Sequence, residues 1–484
     1  MQTLWLRCTN AVRVNALPWH IGFGLTLFLY IAYRAYALSI THDEAGTTDL
    51  LAFTYQDIIG SPRAFTSANN HILNSWLMKF CVSLFGDAEW VLRLPNVLAF
   101  PVYFWGCRKL STCFSADAVI QSLILLIFCA HPYVIDFFSL CRGYGLALAF
   151  QSLAFVHSYQ FLQHNKFKSI SLAALMLAGS VFANLTWLNL LMAWWMALGL
   201  YFFFKEGIQG IFSRSLYFVV AAVMHALLAV VLWNPLQWIR AAGELRWGSN
   251  GWFDAQHSFS KDYLYTDNPW LAMFLQGVMF LVFVWMLRYS FRHRKELKTQ
   301  QHFPLPVFLF LILVCCIAWS VGLRNFTDTF YPNGRKALMY FMLWDSMWIS
   351  LILFLPNEKH HLKRIAASAL VLMLSGMVLL QTNRVREWGY DNQTKFVFQW
   401  LSSYDTSQTT LLDVHWKFKP AMDYYLRHSG KQHWSIRRTD QADTSRKPDF
   451  VYTILEKDQH RLPYPVVLSL DEIRVLYKTQ LNHP

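Results

Sequence analysis

Charge is scarce in this sequence, and acid is the scarcer sign. Of 484 residues, 15% are Asp, Glu, Lys or Arg, against roughly a quarter in soluble domains. The 29 acidic residues are outnumbered by 42 basic ones, for a net charge of +13. Metal spacings are missing too: no CxxC and no Cys/His cluster occurs. The eight cysteines (Cys8, Cys81, Cys107, Cys113, Cys129, Cys141, Cys315 and Cys316) mostly lie in or beside apolar stretches. They read as small packing residues. A bridge between Cys81 and Cys141 stays open, because pairing cannot be read from sequence alone. There is no internal repeat and no low-complexity tract. No small-residue cleavage site follows the first apolar run, so that run is expected to stay as a helix.

What is abundant is apolar surface, with 55% hydrophobic and 17% aromatic residues. Apolar stretches of roughly 20 residues recur, long enough to cross a hydrocarbon core. This excludes a soluble class. Eleven spans are expected, at about 17–40, 90–109, 116–134, 143–163, 169–186, 188–204, 214–233, 269–288, 304–322, 335–356 and 365–381. Only the short "NLTWLN" separates the fifth from the sixth. Basic residues fall in alternate loops: Arg108/Lys109, Lys166/Lys168, Lys205/Arg214, Arg288 to Lys298, and Lys359/Lys363/Arg364, with Arg7 and Arg13 on the same side. That side is expected to be cytoplasmic. Such a distribution argues against nucleic acid, which the net charge alone would suggest. Loops 41–89, 135–142, 234–268, 323–334 and everything after about 382 then face outside.

The first outer loop, 41–89, is too long for a simple connector. Leu51, Tyr55, Ile58 and Ile59 fall at i, i+4, i+7 and i+8, the apolar face of a helix. Such a helix would lie in the interface plane, although a re-entrant or packing loop fits the same pattern. A second helix is expected from Ile72 to Phe85, closed by Gly86. After about 382 the chain grows more polar. There "TTLLDVHW", "DFVYTIL", "YPVVLSL" and "IRVLYKTQ" read as strands and "PAMDYYLRH" as a helix, a small α/β domain. The expected architecture is mostly α: a transmembrane domain over 1–382 and a soluble extracytoplasmic α/β domain over 383–484.

Acids at the edge of a bilayer are costly unless they are paired or functional, which singles out Asp43 and Glu44 in "SITHDEAGTTDL". Glu44 has a structural use, because "THDE" matches a capping box with Thr41. Adjacent helical residues point about 100° apart, so Asp43 is left as the one to project into a site. "NNHILNSW" groups Asn69, Asn70, His71 and Asn74; such groups suit sugar hydroxyls or the start of a helix. In "RLPN", Arg93 stands at the outer end of the second span, where snorkelling is the ordinary role. Asp136, Arg142 and Tyr144 of "DFFSLCRGYGLALAF" flank the outer end of the fourth. A cation there runs against the loop rule. Arg142 either meets phosphate oxygens or pairs with Asp136 or Asp43. After the turn in "TFYPNGRKALMYFMLW", Arg335 and Lys336 either grip a lipid phosphate or anchor an aromatic belt. The tryptophans Trp233, Trp238, Trp247 and Trp252 serve interface anchoring or stacking on sugar or lipid.

Taken in order, these pieces resemble the GT-C glycosyltransferases, in the branch of the protein O-mannosyltransferases and the aminoarabinose transferase of lipid A. "HDEAGT", "NNHILNSW", "RLPN" and "RGYGL" carry the resemblance over about residues 20–150. The Arg335 loop matches less closely, and the C-terminal domain matches in position and general character. The resemblance implies an inverting membrane enzyme that moves a hexose or pentose from a polyprenyl-phosphate donor, undecaprenyl in a bacterium. The acceptor would be a lipid, glycan or protein at the outer face of the inner membrane. It implies Asp43 as general base with Glu44 beside it. Arg142, Arg335, Lys336 and Tyr144 would surround the donor phosphate, and His71, Asn70, Arg93 and Asp136 the sugar or acceptor. No cofactor and no metal is implied, and no DxD stands in the first outer loop. Arg335-Lys336 departs from the Arg-Tyr common in that family. Two other functions remain open. A polyprenyl-linked glycan transporter or flippase would spread charge through several spans and carry inverted repeats; a glycan ligase would use a lipid diphosphate.

Overall fold

In the computed structural model of the chain, residues 2–292, 304–355, 360–375, 384–403, 409–439, 447–454, 465–470 and 474–479 are described. The basic residues at 293–298, Lys359, the side chains of Arg7 and Arg13, the end of the last expected span and Ile473 of the last expected strand lie outside them. The chain divides into two compact units. One is Met1–Tyr36 with Phe53–Gln381, the other Ala37–Ala52 with Thr382–Pro484.

The first unit is helical. Five of its helices are long and apolar enough to cross a membrane: Leu185–Glu206, Ser215–Ala241, Pro269–Ser290, Leu305–Phe326 and Gly334–Leu353. The number is seven if each of two bent helix pairs is one span. Not all eleven expected spans have this character among the described residues. Glu89–Phe114 and Tyr144–His164 have the length, but Arg93, Asn96, Arg108 and Lys109 interrupt one and Gln151, His157 and Gln160 the other. Phe167–Ala183 is 17 residues long.

Several polar groups are satisfied inside the bundle. Trp187 Nε1 donates to Gln151 Oε1 at 2.7 Å, Trp194 Nε1 to Ser158 Oγ at 2.9 Å, and Tyr103 OH to the Phe128 carbonyl at 2.8 Å. An unsatisfied group would be costly in hydrocarbon. Small residues let the helices approach: a Cβ on Gly106 would stand 2.2 Å from Ser152 Oγ. Asp117 starts helix Ala118–Cys129 by accepting the N–H groups of Val119 and Ile120 at 2.9 and 3.0 Å. Its second oxygen takes Arg364 at 2.8 Å.

The interfacial helix expected through Leu51 and Ile59 is broken. Asp49–Ala52 is a 3₁₀ turn, and Thr54 opens a new helix, Tyr55–Gly60, by accepting the Asp57 N–H at 3.1 Å. A competing cap thus overrides the apolar spacing. Helix Ile72–Phe85 forms as expected, and Gly86 closes it at φ +81°. Cys81 and Cys141 are free thiols, so no bridge joins them.

The second unit holds a five-stranded sheet: β1 (Thr410–Val414), β2 (Trp434–Arg438), β3 (Phe450–Ile454), β4 (Val466–Ser469) and β5 (Arg474–Lys478). The order is β2-β1-β3-β5-β4, with β1 parallel to β2 and β3, and β5 antiparallel to β3 and β4. Strand β1, paired on both sides, is buried along its whole length, as a parallel strand covered on both faces must be. Helix Lys419–Ser429 crosses from β1 to β2 and ends at Gly430, φ +69°. Residues 37–52 pack on this helix. The Ile40 N–H donates to Tyr425 OH at 2.8 Å, and Arg427 meets Asp49 at 3.1 Å.

Candidate functional site

Three of the motifs are tied together by side-chain amides. Asn96 of "RLPN" accepts the Leu146 N–H on Oδ1 at 3.2 Å and donates through Nδ2 to Asn74 Oδ1 at 2.7 Å. Asn74 Nδ2 in turn donates to the Cys141 carbonyl at 3.1 Å. Both amides are buried, and each uses a donor and an acceptor, so their orientation is fixed. Two glycines complete this clamp on "CRGYGL". A Cβ on Gly143 would lie 2.0 Å from the Ala183 carbonyl oxygen and 2.9 Å from His71 Cβ. One on Gly145 would lie 2.9 Å from Asn96 Oδ1 and from the Phe137 carbonyl. Only glycine allows backbones so close.

Arg142 is 1% exposed. Its Nη2 donates to Asn69 Oδ1 at 3.1 Å and its Nη1 to the Asn69 carbonyl at 3.4 Å. His71, just ahead of helix Ile72–Phe85, lies edge-on to Tyr144 with ring centres 5.2 Å apart. Tyr144 also packs on Phe137 at 4.7 Å and Trp187 at 6.0 Å. Burial first, then the guanidinium groups of Arg142 and Arg335, hold the His71 pKa well below its usual value. Its ring is therefore uncharged at neutral pH. His71 Nε2 is buried and has no hydrogen-bond partner.

The Arg335 loop is pinned by several bonds. Asn333 Nδ2 donates to Ser249 Oγ at 3.0 Å, Lys336 Nζ to the Trp247 carbonyl at 2.7 Å, and Gln151 Nε2 to the Met339 carbonyl at 3.0 Å. His71 thus touches Tyr144, and the charges of Arg142 and Arg335 both bear on its imidazole. Next to the loop is a mainly apolar cavity of about 230 Å³, lined by its Tyr331, Pro332, Ala337 and Tyr340 and by Trp252 and Phe283.

Other expected site residues are engaged elsewhere. Asp136 forms a buried ion pair with Arg34 and accepts Tyr265 OH at 2.9 Å. Arg93 Nη1 donates to the Ala35 carbonyl at 2.9 Å. Both fasten the C-terminal end of the first long helix, Gln2–Ala37. Asn70 donates to the Ile58 carbonyl at 2.7 Å and accepts Ser75 Oγ at 3.1 Å, which fixes the segment ahead of His71.

Asp43 and Glu44 belong to the second unit. Helix His42–Thr48 opens with the capping box: the Glu44 N–H reaches Thr41 Oγ1 at 3.4 Å and the Thr41 N–H reaches Glu44 Oε2 at 3.0 Å. Glu44 is fully buried in this role, while Asp43 is 8% exposed. A third carboxylate, Asp391, joins them. Its Oδ2 accepts the His42 N–H at 2.7 Å and its Oδ1 accepts Thr394 Oγ1 at 3.3 Å. Burial raises the Asp391 pKa most; the two hydrogen bonds lower it, Asp43 and Glu44 raise it again, and it ends well above the usual carboxylate range. Burial and the two neighbouring carboxylates thus both disfavour the charged form of Asp391. His42 Nδ1 meets the Lys417 carbonyl at 2.9 Å, and its ring stands edge-on to Trp416 at 5.8 Å. Trp416 and Lys417 lie just past the C-terminal end of β1, between parallel neighbours, where such sheets usually take ligands. Spacing alone pointed to neither Asp391 nor this loop.

No protein-family model matches the sequence, and no curated protein matches it. Among solved structures, the chain is similar to ArnT from Cupriavidus metallidurans bound to undecaprenyl phosphate. Identity is 12% and the TM-score 0.46, over 96% of this chain and 98% of that one. It is also similar to the Archaeoglobus fulgidus oligosaccharyltransferase tethered with an acceptor peptide. There identity is 11% and the TM-score 0.44, over 88% of this chain and 64% of that one. Likeness at this level carries no residue-by-residue correspondence.

Proposed function

We propose that this chain is a membrane glycosyltransferase of the GT-C kind. It moves a sugar from a polyprenyl-phosphate donor to an acceptor hydroxyl on the extracytoplasmic face of the membrane. The observation that carries this reading is the buried Arg142 guanidinium, held by Asn69 two residues ahead of His71, in a chain rich in apolar helices. A guanidinium matches the oxygen pair of a phosphate. The apolar cavity beside the Arg335 loop suits the first isoprene units of a lipid tail.

In the reaction, the acceptor oxygen attacks the anomeric carbon on the face opposite the phosphate. The bond from that carbon to the phosphate oxygen breaks, its electron pair leaves with the phosphate, and the anomeric configuration inverts. Arg142 and Arg335 stabilise the charge that develops on the leaving group. Asp43 takes the proton of the attacking hydroxyl. Glu44 holds the helix that presents Asp43, and Lys336 and Asn70 hold the loops that present Arg335 and His71.

The test is transfer from radiolabelled undecaprenyl-phosphate sugars to an envelope acceptor fraction by the purified protein. Asp43→Asn is expected to lower turnover by about 10²–10⁴-fold while undecaprenyl phosphate still binds. Undiminished transfer would remove Asp43 as the base. Failure of the wild type to bind undecaprenyl phosphate would remove the whole class.

A further inference from the structure

We infer that Asn184 is a ligand of the donor phosphate: its side-chain NH₂, together with His71 Nε2, completes the anion site that Arg142 and Arg335 begin. This deepens the function proposed above and rests on it. Asn184 lies between helix Phe167–Ala183 and the turn Leu185–Trp187, and is 1% exposed. Its Oδ1 accepts both the Thr186 N–H at 3.0 Å and Thr186 Oγ1 at 2.7 Å. A backbone N–H can only donate, so the identity of that oxygen is settled and the amide is locked. Its Nδ2 is then left buried with no hydrogen-bond partner. Buried donors are nearly always paired in native proteins, and an orphan of this kind points to a missing acceptor.

The chain on either side of Asn184 shows where that acceptor belongs. On one side, the Ala183 carbonyl presses on Gly143, next to Arg142, at the same point as His71 Cβ. On the other, the Trp187 ring touches Tyr144, whose ring touches His71. Asn184 is bracketed by the two contacts that build the cationic neighbourhood. His71 Nε2 is a second buried orphan, on the ring that touches Tyr144. An anion with several oxygens, seated between these segments, would satisfy Asn184 Nδ2, His71 in its Nε2–H tautomer and the guanidinium groups. A phosphate monoester has such oxygens and accepts from every side.

The occupant is tested by changing the sign of the polar group without its shape. The full-length protein in detergent is titrated with undecaprenyl phosphate, with undecaprenol as the uncharged control. Asn184→Ala is expected to weaken undecaprenyl phosphate binding by about tenfold, the loss of one hydrogen bond to a charged group. Asn184→Asp sets a carboxylate against the phosphate and is expected to weaken it by about a hundredfold or more. Binding of undecaprenol should move in neither case. If Asn184→Ala does not fold, Asn184→Ser keeps a donor and should bind well ahead of Asn184→Asp. Binding by Asn184→Asp equal to or tighter than that of Asn184→Ala or Asn184→Ser overturns the inference, because the amide then reads a hydroxyl. If the wild type binds and Arg142→Ala weakens it while every Asn184 variant binds normally, Asn184 is no ligand and the proposed function still stands. A wild type that does not bind overturns both.

Discussion

Asp391 holds the first turn of a helix that begins 349 positions earlier in the chain. Its pKa is raised by folding, so the folded chain keeps a proton that the unfolded chain releases near pH 4. The stability this lends is complete below that pH and is lost as pH rises through the folded value. Asn at this position keeps an acceptor for the His42 N–H and has no charge to form. Asp391→Asn should therefore flatten the fall in thermal stability as pH rises above about 4, as read by unfolding scans in detergent. Asp391→Ala should instead lose stability at every pH, by about 1–3 kcal/mol, because the His42 N–H is left unpaired. Residue type and position marked Asp43, His71, Arg142 and Arg335 before any fold was known. Asp391 and Asn184 escaped notice because an acid or amide in a polar stretch looks like ordinary surface. What sets them apart is burial and a partner distant in sequence, neither of which is local information.

The amide ladder from Leu146 through Asn96 and Asn74 to Cys141 does for the helices what Asp391 does for one turn. Asn96→Leu would strand the Leu146 N–H and Asn74 Oδ1 together. The expected loss is about 2–4 kcal/mol, with weaker undecaprenyl phosphate binding because the Arg142 segment loosens. The double variant Asn74→Leu/Asn96→Leu should cost less than the two single losses combined, since each strands the other's partner; additive losses in thermal unfolding would refute the ladder. The ladder explains why "NNHILN", "RLPN" and "RGYGL" occur as a set. At this scale the sequence reads well where one signal dominates. Ile72–Phe85 has apolar spacing and a closing glycine in agreement. It reads poorly where signals compete, as at Thr54, whose cap divides the expected interfacial helix. Strand Trp434–Arg438 was missed for a different reason. Its two arginines look solvated, yet Arg437 is bound to Asp413 of the neighbouring strand β1 at 2.7 and 2.9 Å.

The whole molecule is two units that do not follow the order of the chain. Residues 37–52, which carry the acidic pair, fold with the C-terminal sheet, and the helices before and after them fold together. Cutting the chain after Gln381 should leave the helical unit inserted in the membrane while residues 37–52 lose the Tyr425, Arg427 and Asp391 contacts that hold them. Limited proteolysis in that segment should rise by about tenfold or more, and transfer should vanish; a segment as resistant as in the full chain would refute its dependence on the C-terminal unit. The same arrangement has a consequence for biosynthesis. A ribosome adding about 5–20 residues per second needs roughly 20–70 s to travel from the acidic pair to Asp391. The part of this unit that is made first is the last to be ordered. A nascent or prematurely terminated chain lacks Asp391 and the Tyr425 and Arg427 contacts, so residues 37–52 wait for the C-terminal unit before they can fold.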